Sequence, residues 1–110
     1  MQTLDTKTTN AIIELKNALS KDFENDIDLF LFGSYARQSA DSDSDIDILV
    51  LLDGQVDNEI RNKIFDKAYD VQLEFDVVFG IIVYSKNFWY SIKGKSMPLF
   101  KSIEKESIKV

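Results

Sequence analysis

The 110-residue sequence contains neither cysteine nor histidine. Disulfides and thiol nucleophiles are therefore excluded, along with zinc sites of the usual nitrogen and sulfur ligands and Ser-His-Asp triads. Catalysis in such a chain must run on carboxylates, hydroxyls, lysines and arginines, most naturally beside a hard, oxygen-binding cation. Long hydrophobic runs are missing too: the longest, Val77 to Tyr84, is far short of the roughly 20 residues a membrane helix needs. The opening MQTLDTKTTN is polar and acid-bearing, so we expect no signal peptide and a cytoplasmic location. Basic residues are in deficit, 13 Lys and Arg against 19 Asp and Glu for a formal charge of −6. That argues against general nucleic-acid binding, because a phosphate backbone is held by excess positive charge. A C-terminal group of Lys93, Lys95, Lys101, Lys105 and Lys109 reads as a solvated helix face.

What is present suits a globular chain. Hydrophobic residues make up 45%, enough for one core, and the length predicts a single domain over 1–110. Leu4, Thr8, Ala11, Ile12, Leu15 and Leu19 follow helical spacing and predict a first helix ending near Lys21. Leu29 to Phe32 and Ile46 to Leu52 read as buried strands, the second stopped by Asp53-Gly54. Ile60, Ile64 and Ala68 predict a helix from about Asp57 to Tyr69. Val71, Leu73, Phe75, Val77 and Phe79 then alternate with Gln72, Glu74 and Asp76, the pattern of a half-buried strand. The IIVYS run after Gly80 reads as a further strand and Lys86 to Lys93 as a short helix closed by Gly94. Pro98 opens a last helix to about Lys105. The order predicts a small α/β (α+β) fold with a mixed sheet flanked by helices.

The stretch FGSYARQSADSDSDIDILV, from Phe32 to Val50, carries the chemistry. Asp45 and Asp47 are two apart on an extended chain, so their side chains share a face about 6–7 Å apart. Two carboxylates about 6 Å apart repel by about 3 kcal/mol at an effective dielectric near 20. A divalent cation between them turns repulsion into ligation, and a pair of such metals can clamp a phosphoryl transfer. Asp76, on the polar face of its predicted strand, would bring a third carboxylate to the same end of the sheet. Gly33 lets the backbone turn sharply and approach a phosphate, Ser34 offers a hydroxyl, and Arg37 a charge-assisted bond. Asp41 and Asp43 read as solvated loop residues. Asp26-Ile27-Asp28 repeats the spacing without a Gly-Ser cradle before it and reads as a turn leading into a strand. Of Phe88, Trp89 and Tyr90, at least one is expected at the surface, since three successive helical residues cannot all face one core.

Gly33-Ser34, ten intervening residues, then Asp45-Ile46-Asp47 resembles the GSx10DxD signature of the DNA polymerase β-like nucleotidyltransferases. GSYAR and SDIDILV look most like the minimal nucleotidyltransferase (MNT) family. The resemblance implies that Asp45 and Asp47 bind Mg²⁺, two ions in all, with Asp76 as the third acid. It implies that Gly33 and Ser34 hold a nucleoside triphosphate, ATP as AMP donor. It also implies an antitoxin whose partner is a HEPN-type toxin, modified on a tyrosine. A catalytically silent binder and a subunit of an aminoglycoside-like small-molecule nucleotidyltransferase are the alternatives, and a homo-oligomer is left open. The family commonly has glycine after the arginine, where this chain has Gln38.

Overall fold

A computed structural model describes residues 5–24, 26–41 and 44–110; Leu4 and Asp43 lie outside them. The first helix, α1 (Thr6–Asp22), opens at Asp5, whose carboxylate accepts from Thr8 N at 2.6 Å. That hydrogen bond, more than any other influence, holds the Asp5 carboxyl below its usual range. The helix buries Thr8, Ala11, Ile12, Leu15 and Leu19, the face its spacing predicts. Strand β1 (Ile27–Phe32) leads through a single turn, α2 (Gly33–Ala36), to β2 (Ile46–Leu52). Helix α3 (Asn58–Phe75) then crosses to β3 (Phe79–Ser85). Two short turns, α4 (Lys86–Trp89) and α5 (Ile92–Lys95), precede α6 (Pro98–Glu106) and β4 (Ile108–Lys109).

The sheet runs β3-β2-β1-β4, with β2 antiparallel to β1 and parallel to β3. The mixed α/β architecture is as expected. Strand β2 is buried on both faces. Ile46, Ile48, Val50 and Leu52 pack with α1 and α3, while Leu49 and Leu51 pack with Trp89 and Ile103. Asp47 shares the second face by alternation. Among the described residues, no helix is long and apolar enough to cross a membrane.

Four expectations are corrected. The region from Val71 to Phe79 is not a strand: α3 continues to Phe75, and the strand begins at Phe79. Ile64, Ala68 and Val71 are buried at helical spacing with Ile60 and Phe75 packed alongside, whereas Leu73, which the alternation would bury, is 66% exposed. The helical period therefore governs this segment. The helix expected over Lys86 to Lys93 is split, because the Ser91 hydroxyl donates to Phe88 O at 2.6 Å and accepts from Gly94 N at 3.1 Å. Gly94 lies inside α5 and is buried rather than closing a helix. Asp28 sits within β1 rather than in a turn, its carboxylate 3.3 Å from Lys86 Nζ and 3.7 Å from Lys109 Nζ. Strand β4, two residues long, pairs with Phe30 and Leu31 and was not anticipated.

Candidate functional site

The site forms where β1 ends beside the start of β2, at the pair Phe32 and Asp47. Gly33, at φ 75°, turns the chain off the strand into α2. A side chain there would be strained, and its Cβ would fall on Asp47 Oδ2. On the other neighbouring strand Gly80 pairs with Asp47, and a Cβ on Gly80 would lie 2.7 Å from Asp47 Oδ1. Two glycines from opposite sides thus make the room that the Asp47 carboxylate fills. Gly80 was missed as a site residue; its signal in the sequence is a lone glycine inside the apolar run VVFGIIV.

Among the described residues, the Asp47 carboxylate accepts no hydrogen bond. Burial pushes its pKa above the ordinary 3.8, the charge of Asp45 pushes it further, and Arg37 pulls the other way. Asp45 is exposed. The pair offers hard oxygen donors whose mutual repulsion a cation would relieve. Magnesium is typically held by one or two carboxylates plus water and substrate phosphates, so the pair fits that ion.

Asp76 does not take the expected position. It is the left-handed C-cap of α3 (φ 54°, ψ 53°), its N–H donating to Gln72 O, and its carboxylate is fully exposed. Lys7 Nζ donates to Asp76 O at 3.1 Å and stands 4.0 Å from its carboxylate. Asp76 and Asp45 line one pocket of about 430 Å³, with Lys7, Tyr35 and Ser44. The three acids nevertheless form no metal-holding group: none of three or more such ligands occurs among the described residues. Asp76 caps α3 three residues before β3 begins at Phe79, so it is not carried on the sheet beside Asp47.

Ser34 belongs to the α2 turn, where its carbonyl accepts from Ser39 N at 2.9 Å. Arg37 is exposed and 3.3 Å from Glu106 of α6, so its guanidinium is engaged beside the site. Gln38 adopts φ 62°, the left-handed region that favours glycine. Asp41 is an exposed loop residue, as expected, closing a turn with Ser44: Ser44 Oγ accepts from Asp41 N at 3.0 Å. A larger pocket of about 680 Å³ lies between α1 and α3 around the Asp22–Lys67 pair, away from these residues. Size alone does not pick out the chemistry.

Residues 12–110 match the family model of the nucleotidyltransferase domain, and the chain belongs to that family. Nucleotidyl transfer is the activity this membership supports. Among solved structures, the fold is similar to that of a toxin–antitoxin with AMP-PNP. Their TM-score is 0.62 and their identity 23%, over 96% of this chain and 72% of that one. It is also similar to a mutant of the toxin–antitoxin MntA-HpeT, with a TM-score of 0.60 and 23% identity over 98% of this chain and 72% of that one. At that identity the likeness is one of fold. A search of curated proteins finds no match.

Proposed function

We propose that the protein is an antitoxin that transfers AMP from ATP to a hydroxyl of a HEPN-type toxin, a tyrosine by resemblance. The observation that carries this is the Asp47 carboxylate set between Gly33 and Gly80, partly desolvated and repelled by Asp45. Such an arrangement costs stability unless it holds a cation. The structural neighbours, one a toxin–antitoxin with AMP-PNP and one MntA-HpeT, support an adenine nucleotide and a toxin partner.

In the proposed reaction the acceptor oxygen bonds to the α-phosphorus of ATP. The bond from that phosphorus to the bridging oxygen breaks, and pyrophosphate leaves. Asp45 and Asp47 would hold magnesium, two ions by resemblance, which when bound supplies charge neutralisation and a more acidic acceptor hydroxyl. The turn at Gly33 and Ser34 brings the backbone close to the triphosphate. Arg37, 3.3 Å from Glu106, would exchange that partner for a phosphate. Asp76 is the proposed third acid. It borders the same pocket as Asp45 and would take the acceptor's proton once it turns from Lys7.

The test combines ATP labelled on its α-phosphate, Mg²⁺ and lysate of the source cells with the wild type or an Asp45→Asn/Asp47→Asn variant. A labelled protein band with the wild type alone supports the proposal. A labelled small product would point to the aminoglycoside-like alternative. Equal neutralisation of the partner by wild type and variant, with no label transferred, would show an antitoxin that acts by binding.

A further inference from the structure

Strand β3 is terminal in the sheet, so its outer edge has no strand partner among the described residues. Val78 O accepts from Ile46 N on the β2 side at 2.8 Å. By alternation, Phe79, Ile81 and Val83 turn their backbone groups outward. The first of those donors is taken: Phe79 N donates to Gln72 Oε1 at 2.8 Å. Ile81 and Val83 remain to pair. Lysine, proline and acids, which commonly blunt a sheet edge, are all absent from Phe79 to Ser85.

Beside this edge α3 exposes a row of apolar side chains four residues apart, Phe65 (42%), Tyr69 (57%) and Leu73 (66%). A slot of about 230 Å³ lined by Phe65, Tyr69, Phe79 and Ile81 runs between the row and the strand. On the opposite face, Gly80 stands between the edge and Asp47. A strand added to β3 would lie two strand spacings from β2, about 10 Å. A serine hydroxyl opposite Gly80 falls well short of Asp47, whereas a phenol lying over the bare glycine crosses most of that gap. The residue after each member of the row is an acid. Asp66, Asp70 and Glu74 are exposed on α3, outside every ion pair found among the described residues.

We infer that the outer edge of β3 is the acceptor dock. It takes, by strand addition, an extended, basic segment of the partner protein, with a tyrosine over Gly80 and the residues on either side seated in the Phe65–Tyr69 slot. This rests on the proposed transfer to a tyrosine of a protein partner and adds where that segment binds, an extended strand with apolar residues on either side of the tyrosine. A second copy fits the edge less well, since it would bring a further charge of −6. The exposed row also amounts to only roughly 300 Å² at about 200 Å² per side chain, against about 800 Å² per partner in a standard interface.

The test is amide NMR on the 110-residue chain titrated with a capped Lys-Val-Tyr-Val-Lys peptide, followed by labelling with Mg²⁺ and ATP. Binding should shift the Ile81 and Val83 amides and slow their exchange at least ten-fold. The peptide should take label, and its phenylalanine analogue should bind without label. Ile81→Pro, which removes an outward donor at a sheet edge, should keep the melting response to Mg²⁺-ATP and lose peptide binding. Tyr69→Lys, which leaves the backbone intact, should weaken binding at least five-fold. Shifts at β3 without labelling would support the dock and count against the transfer. The inference is overturned if the peptide leaves the β3 amides unmoved, or if Ile81→Pro binds and labels it as the wild type does. It is also overturned if Ile81 and Val83 shift with protein concentration alone and sedimentation shows a dimer.

Discussion

Replacing Asp47 with Asn should make the metal-free protein more stable while removing its response to nucleotide. Asp45 and Asp47 repel across about 6–7 Å, which is about 2.5 kcal/mol at an effective dielectric of 20 and about 0.6 kcal/mol in bulk water. Asp45 is exposed, so solvent screening brings the gain toward about 1 kcal/mol. For a domain of this size that is a rise in Tm of about 4–8 °C. Asparagine keeps the shape between Gly33 and Gly80, so packing should change little. The pH dependence fixes the cause. Burial and Asp45 raise the Asp47 pKa in the folded chain above the ordinary 3.8, so the folded state binds that proton more tightly. The group's favourable contribution is complete below pH 3.8 and is lost as pH rises through the raised folded value. The variant's advantage should therefore be near zero at pH 3 and full at pH 7. Mg²⁺-ATP at 100 times its dissociation constant should add about 2.7 kcal/mol to the wild type and little to the variant. Thermal melts at both pH values, with and without Mg²⁺-ATP, measure all of this. A variant less stable than the wild type at pH 7 without metal would refute the electrostatic reasoning.

Other sites give independent outcomes. Gly80→Ala puts a Cβ 2.7 Å from Asp47 Oδ1 and should lower AMP transfer at least ten-fold, with the fold intact by circular dichroism. Gln38→Gly relieves a left-handed glutamine at φ 62°. It should gain up to about 1 kcal/mol in urea unfolding, the backbone relief exceeding the entropy cost of glycine. Asp76→Gly suits the αL cap and should leave stability within about 0.5 kcal/mol. The same change should abolish transfer if Asp76 is the third acid; transfer within three-fold of wild type would remove it from the site. Lys86 lies 3.3 Å from Asp28 and 3.5 Å from Asp53. Burial alone would lower its pKa, but hydrogen bonds and charge from those acids raise it above 10.5. Its stabilisation should hold below pH 10.5 and fade as pH rises through the raised value, and Lys86→Gln should lose about 1 kcal/mol at pH 7 in urea unfolding.

The parts of the site that could be read in the sequence are those fixed by neighbours along the chain. Asp45 and Asp47 stand close enough to repel because they flank Ile46 at the start of β2, and Gly33 turns the chain because a left-handed residue follows the strand. No tertiary information enters either inference. Gly80 is different, since its role exists only once β3 lies parallel to β2 in the register that sets it beside Asp47. The expected strand position of Asp76 was wrong for a related reason. From Val71 to Phe79 two periods coexist, an alternation of apolar residues and the tail of the Ile60, Ile64, Ala68, Val71 helix face, and local pattern cannot rank them. What ranks them is burial: keeping Leu73 out in solvent leaves α3 a full apolar face and ends it at Asp76, three residues before β3 begins. The same ending leaves Gln72 to accept from Phe79 N, while the backbone groups of Ile81 and Val83 point away from β2. An acid whose position the sequence misjudges and an edge whose availability it never shows thus have one origin, the point at which α3 stops. A change that extended β3 back toward Asp76 would bring that carboxylate onto the sheet and alter the edge at the same time. Acid placement and acceptor docking should therefore respond together to substitutions at the α3 C-cap.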